Sequence, residues 1–369
     1  MGVRAVVQRR LARPAARRPH LLLAVAPGAT AARLAVERQA VASDAVISAS
    51  PSDADVLVVV GEPGRELAAA VDRVWGQMPG PRARAHVVHP DQVRSALGAA
   101  VGRLADDDHV REAAGRTDEW HDGGDHGGGD PGGGHHGGSG MDMPGGLMMA
   151  ERADDRDGLK LDVLHVPLGP VLADWPAGLV VDVVLQGDVV QHAHARVLAP
   201  ARPVGEPYWT RGGRDERRRR YVAARLDSLG RLLAVAGWEA AATASRRLRD
   251  DVLTGTDAAD VAPRLARLDR RVGGSRLLRW STEGLGVQPD TGEDVTARYR
   301  RWLTEARGAL TGHDLVPDPT AGRDRLDLAT RLMVGLDLAA ARLVLASFDP
   351  DPDALVAGAP APVHTGDAR

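Results

Sequence analysis

The run Asp55-Val-Leu-Val-Val-Val60, five consecutive apolar residues closed by Gly61, constrains the fold more than any other feature of the chain. A strand with no polar position needs cover on both faces, the situation of a parallel sheet flanked by helices. The neighbouring sequence agrees. His20-Leu-Leu-Leu-Ala-Val-Ala26, stopped by Pro27 and Gly28, reads as a second short buried strand. Residues 31–42 have helical spacing, 46–48 are extended, and 66–76 place Leu67, Ala70, Val71 and Val74 on one helical side. A further strand is expected at 85–88 and a further helix at 92–104. Alternation of strand and helix makes residues 21–115 an α/β unit.

Residues 116–150 interrupt this pattern, with thirteen glycines between Gly123 and Gly146. Such a stretch has too little apolar surface to offset its ordering entropy, so a flexible linker is expected there. Order is expected to resume at Leu159. Leu179-Val-Val-Asp-Val-Val-Leu185 and the β-rich run 189–197 flank Gln186-Gly187-Asp188, which predicts a β-hairpin within 151–205. Residues 206–355 then read as helical, with four apolar stripes. These are Val222, Leu226, Leu229, Leu233 and Ala236; Val261, Leu265, Leu268 and Val272; Val295, Tyr299, Trp302, Leu303 and Ala306; and Leu332, Met333, Leu336, Leu343 and Val344. Pro350 and Pro352 are expected to end the last helix. Residues 1–20, rich in arginine, and 356–369 read as disordered tails. The expected fold is thus an α/β N-terminal domain, a small parallel sheet with flanking helices, plus an α+β C-terminal domain, a β-hairpin followed by a mainly helical bundle.

Composition narrows the function classes. With 47 basic and 50 acidic residues the net charge is −3, so no global field favours nucleic acid. Aromatics make up 3% of the chain, so its cores must be built from Leu, Val and Ala. The arginines at 9–18 preceding the apolar run 21–27 have the layout of a secretion signal. That run is shorter than a signal core and far shorter than the roughly 18–20 residues of a membrane span, so it reads as a buried strand and no direct span is expected. The chain has no cysteine, which excludes a disulfide framework and suits the cytoplasm.

Several clusters invite a chemical reading. His121, His126, His135 and His136, with Asp122, Asp125, Met141 and Met143, could hold a transition metal, since imidazole suits Zn, Ni and Cu and thioether suits Cu(I). The fixed short spacings of a structural zinc site are absent, and a solvated Gly-rich linker is the competing reading. His192 and His194 share one face of a strand, with Asp188 as the sole local third donor. His86 and His89 fall near the end of a strand, where they read as surface-edge histidines or as flanking a ligand position. Gly61-Glu-Pro-Gly64 joins a strand to a helix but lacks a phosphate-binding pattern, and Glu62 would repel anions. Arg217, Arg218, Arg219, Arg220 and Arg225 form a basic helical run, which reads as a solvated face or as a grip for an acidic partner or a lipid headgroup. Asp337 is a single carboxylate among apolar residues, with no acid/base pair.

Two linked motifs carry a family resemblance. Ser50-Pro-Ser-Asp-Ala-Asp-Val-Leu-Val-Val-Val-Gly61, followed by Val71-Asp-Arg-Val-Trp-Gly-Gln-Met-Pro-Gly-Pro-Arg82, resembles the small cluster-bearing subunit of respiratory complex I and of membrane-bound nickel–iron hydrogenases. In the second half, His165-Val-Pro-Leu-Gly-Pro170, the Gln186-Gly-Asp-Val-Val190 turn and Ser275-Arg-Leu-Leu-Arg-Trp-Ser-Thr-Glu-Gly-Leu-Gly-Val287 followed by Glu293-Asp294 resemble the large partner subunit. The resemblance places cysteine pairs where this chain has Ala26-Pro27-Gly28-Ala29 and His89-Pro90-Asp91. The nickel-binding cysteines are also absent, and Ala173-Asp174-Trp175-Pro176 stand at the His-bearing turn that faces quinone. Iron–sulfur clusters are held by thiolates, so no cluster is expected. The resemblance implies a fused, cofactor-stripped small-plus-large pair, not an enzyme by itself, docked on other subunits of a complex I-like or hydrogenase-like membrane assembly in a structural or regulatory role. That would allow a position at the inner face of the cell membrane through partner subunits. Two alternatives stand beside it: a contributing subunit of an active quinone-linked oxidoreductase whose clusters lie in other chains, and a metal-handling protein acting through the His/Met-rich linker.

Overall fold

In the computed structural model, which describes residues 18–106, 151–154, 160–313 and 322–357, the apolar run becomes the strand β3 (Val56–Val60), buried at every position. It lies inside a parallel sheet of order β2-β1-β3-β4, with β1 at His20–Val25, β2 at Val46–Ile47 and β4 at Ala83–Val87. Alternate residues serve opposite layers, as strand geometry requires. Leu21, Val56, Val58 and Val60 pack under α1 (Thr30–Ala42) and α3 (Val93–Leu104). Leu22, Ala24, Leu57 and Val59 meet Leu67 and Val71 of α2 (Arg65–Gln77) on the other side. Val180 and Leu198, from the second half of the chain, complete that second layer. The two halves therefore share a core.

The second sheet is antiparallel, in the order β5-β6-β7-β8. Its strands are β5 (Glu151–Asp154), β6 (Lys160–Leu168), β7 (Leu179–Gln186) and β8 (Val189–Val197). The expected hairpin is β7 and β8, turned at Gly187, whose φ of 60° lies in the left-handed region that favours glycine. Leu179, Val181, Val183 and Leu185 point into the helical core, while Val180 points to the first sheet.

Helices follow. They are α4 (Arg214–Val235), α5 (Glu239–Leu253), α6 (Ala258–Gly273), α7 (Arg276–Thr282), α8 (Val295–Leu310), α9 (Arg323–Met333), α10 (Leu338–Phe348) and α11 (Pro352–Val356). The expected stripes on α4, α6 and α8 all face one core, centred on Leu226, Leu229, Leu265, Tyr299 and Trp302. The fourth stripe divides between two helices. Asp337, an isolated carboxylate in the sequence, caps α10 by accepting from the Ala340 N–H at 2.9 Å. The residues before it form an edge with β8, where the Leu336 carbonyl accepts from Val190 N–H at 2.9 Å. The striped helix α10 does stop at Phe348, just before Pro350, and a short further helix follows in which Pro352 occupies the first turn, where its missing N–H costs nothing. Both β5 and α5 arise without an expected counterpart. Most of both tails, the linker 116–150 and its four histidines lie outside the described residues.

Candidate functional site

The two halves meet around a cavity of about 900 Å³. Its apolar lining includes Leu23, Val41 and Ile47 from the first half and Trp175 and Trp209 from the second. Val41 and Ile47 are among the few large apolar side chains left exposed, at 50% and 37%. The lining also carries an ionic wall.

That ionic wall is assembled from helices of both halves. On α1, Arg33 and Glu37 lie one turn apart and pair at 2.7 Å. Arg33 reaches across to Asp227 of α4 at 2.7 Å. Arg249 of α5, with only 1% of its side chain exposed, donates to Asp227 at 2.6 Å and to Glu37 at 2.7 Å, and pairs with its neighbour Asp250 at 2.8 Å. Arg231, one turn beyond Asp227, pairs with it at 3.0 Å and with Asp349 at 2.9 Å. Asp349 also accepts from Ser228, and Arg246 of α5 pairs with Asp174. Asp227 is thus the hub, its carboxylate shared by three guanidiniums.

Electrostatics follow from the geometry. Burial alone would push the Asp227 and Glu37 carboxyls up, but Arg33 and Arg249 outweigh it and hold Asp227 well below the usual carboxylate range and Glu37 at about 2. The carboxylates raise Arg33 and Arg249 against the opposing effect of burial. Asp174 and Asp250 go the other way: burial raises them, and the arginines nearby, chiefly Arg246 for Asp174 and Arg249 for Asp250, only partly compensate.

The segment from Asp349 to Asp353 straps the halves together. Asp349 caps α10 in the left-handed region, with φ of 48°, a conformation stabilised here by its bonds to Arg231 and Ser228. Asp353 bonds into the first half, accepting from the Gly28 N–H at 2.6 Å and from Thr30 Oγ1 at 2.7 Å. Between them, Asp351 caps α11. Burial, then the carboxylates of Asp353 and Asp349, raise its carboxyl to about 6. That brings its proton exchange close to neutrality.

The turn Ala26-Pro27-Gly28-Ala29 is filled by the second half. Besides Asp353, Val204 approaches so closely that a Cβ on Gly28 would meet it at 3.0 Å, and Gly178 lies against Pro27. The other strand-end turn, at Gly61–Gly64, is covered too: a Cβ on Gly64 would stand 2.1 Å from the Ala199 carbonyl oxygen, and Glu62 pairs with Arg202 at 2.7 Å. The Gly28 and Ala29 amides of the first turn are already bonded, and the backbone of Ala199 stands over Gly64 in the second.

The remaining sequence candidates separate. His192 and His194 are exposed on β8, as is Asp188 in the turn before it. A ring nitrogen of His86 is 2.8 Å from the Gly61 carbonyl oxygen, and His89 begins a turn held by Gln92, whose Oε1 accepts from the Val88 and His89 N–H groups at 2.9 and 3.1 Å. In the basic run, Arg218 and Arg220 are spent on backbone carbonyls and Glu216, and Arg225 on Glu305 at 2.7 Å, while Arg217 and Arg219 are exposed. Among the described residues no group of three or more His, Asp or Glu side chains is placed to hold a metal. His121, His126, His135 and His136 lie outside the described residues.

Sequence reasoning does not find the hub. Arg33–Glu37 and Asp227–Arg231 carry the i, i+4 spacing of helical ion pairs, but that spacing is common on solvated helices and does not say which pairs are buried. Because Arg33, Arg231, Arg246 and Arg249 are all held by carboxylates, the hub is not built to grip an anion. What the site does offer is an amphiphilic chamber and one carboxyl poised to exchange a proton. Compared with protein-family models and with curated proteins, the chain gives no match to either.

Proposed function

We propose that the chain is a non-catalytic, cluster-free, subunit-like protein of a complex I- or membrane hydrogenase-related assembly, with a structural or regulatory role. One observation carries this reading. The turn after β1, where the resembling family holds cluster ligands, is closed by Asp353 and Val204 of the second half, and the two halves are tied by a buried ionic hub. A pair of subunits that no longer needs to hold or exchange a cofactor can be joined in this way. Its place is the cytoplasmic side of the membrane, in contact with the other subunits. Among the described residues no helix is long and apolar enough to cross a membrane, in keeping with a peripheral position.

A second reading, a contributing subunit of an active quinone-linked oxidoreductase with clusters in other chains, is favoured by the chamber between the halves. Its apolar wall and near-neutral carboxyl suit a flat apolar ligand that takes up protons. The metal-handling reading rests on the linker histidines alone.

Affinity purification of the tagged chain from gently solubilised membranes, with mass spectrometry of what comes with it, tests the first reading. Antiporter-like membrane subunits and cluster-bearing subunits are expected. Recovery of the chain alone would end the inherited role. Deletion of residues 120–149 followed by metal titration separates the third reading, which requires the deletion to abolish binding.

A further inference from the structure

The short helix α7 presents the most exposed large apolar side chains described, Leu277 at 73% and Trp280 at 80%. They are three residues apart and share one helical face. The opposite face is fixed in the core through buried Leu278 and Thr282, and Thr282 Oγ1 lies 2.7 Å from Thr296 Oγ1 of α8. Ser275 caps the first turn by accepting from the Leu278 N–H at 3.2 Å, and Asp294 accepts from the Gly284 N–H at 2.7 Å just beyond the last. The Trp and Leu are therefore held outward by a rigid support and are not a loosely packed edge.

Their surroundings are basic. Arg276 and Arg279 are exposed on the same outward arc, and Arg267, Arg270 and Arg271 are exposed on the last two turns of α6, which run directly into α7. Arg300 of α8 joins them, donating to the Gly273 carbonyl at 3.1 Å. Against these stands Glu283, exposed and only loosely paired with Arg279 at 3.9 Å; Asp269 is already taken by Arg307 at 2.5 Å. The local excess of positive charge contrasts with the net −3 of the whole chain.

We infer that this face docks directly on a bilayer surface bearing anionic headgroups, with Trp280 and Leu277 entering the interfacial layer and the surrounding arginines meeting lipid phosphates. Tryptophan favours that layer, and arginines near an anionic leaflet add to binding in a salt-dependent way. Two features select a bilayer over a protein partner. The apolar pair stands proud of the surface and forms no groove, so a deformable surface accommodates it where a folded partner would need a matching cleft. The exposed charge around the pair is also predominantly positive, with Arg276, Arg279, Arg267, Arg270, Arg271 and Arg300 set against Glu283 and Asp290, and so complements an anionic surface. This inference is independent of the family reading above.

Co-sedimentation of the full-length chain with phosphatidylcholine vesicles, with and without phosphatidylglycerol, tests it. Binding is expected only with phosphatidylglycerol and should weaken as salt is raised. The double substitution Leu277→Ser with Trp280→Ser, and separately Arg276→Gln with Arg279→Gln, should each reduce partitioning about tenfold or more with melting unchanged, since all four side chains are exposed. Wild-type chain that stays in solution with phosphatidylglycerol vesicles overturns the inference. So does undiminished binding by the two variants, which would assign the effect to the arginines at 9–18. A concentration-dependent dimer in sedimentation velocity, abolished by Trp280→Ser and unaccompanied by vesicle binding, would replace the bilayer with a second copy of the chain.

Discussion

Asp227 holds three guanidiniums, and its removal leaves Arg33, Arg231 and Arg249 with too little negative charge in a buried place. Breaking one side of such a group costs more than the group itself contributes, because the orphaned charges cannot regain water. Asp227→Ala should lower stability by about 3–5 kcal/mol in urea unfolding. A loss below about 1 kcal/mol would mean the hub is solvated and not buried. Asp351 makes the opposite prediction. Its carboxyl is raised to about 6 by burial and by Asp353 and Asp349, so the folded chain binds this proton more tightly than the unfolded chain does. Stability from Asp351 is therefore present at low pH and lost as pH rises from the ordinary aspartate value of about 4 through about 6. Asp351→Asn should match the wild type at pH 4 and exceed it by roughly 1–3 kcal/mol above pH 7. Denaturant midpoints at the two pH values check this, and an unchanged difference between them would remove the argument.

Elements are legible in the sequence where their burial is written in large apolar residues. The five-residue run of β3 announces the parallel sheet, and Val261, Leu265, Leu268 and Val272 announce α6. By contrast α5 is invisible, because its buried face is Ala241, Ala242, Ser245, Leu248, Arg249 and Val252. Alanine, serine and a buried arginine give no apolar periodicity, and Arg249 is buried only because carboxylates from two other helices converge on it. The ionic hub is hidden for the same reason: it exists between elements, while spacing describes one element at a time. The break between α9 and α10 follows from edge pairing with β8, again a tertiary cause. Turn glycines carry the same contrast. Gly64 touches Ala199 backbone, so Gly64→Ala must push the 199–204 segment away and should cost about 1–3 kcal/mol. Gly76, exposed within α2 with open space where a methyl group would stand, should instead gain roughly 0.5–1 kcal/mol as Gly76→Ala. Thermal melts of the two variants in parallel decide whether contact or helix propensity governs each site.

At the scale of the whole molecule the question is whether a parallel sheet domain and a helical domain behave as one folding unit. Three physical links join them. The second layer of the first sheet is completed by Val180 and Leu198, the ionic hub bridges α1 to α4 and α5, and Asp353 is hydrogen-bonded to Gly28 and Thr30. Each of these would be exposed or orphaned if one half unfolded alone, so partial unfolding carries the cost of an uncovered sheet face and unpaired buried charge. Unfolding of the full chain should therefore be a single cooperative transition, with calorimetric and van't Hoff enthalpies in agreement. Asp227→Ala weakens the ionic link, leaving Arg249–Glu37, the apolar contacts and the Asp353 bonds in place, and should broaden the transition so that the enthalpies no longer agree. Differential scanning calorimetry of wild type and variant distinguishes the cases. Two resolved transitions in the wild type would show that the halves are merely adjacent, and the chamber between them would then be free to open.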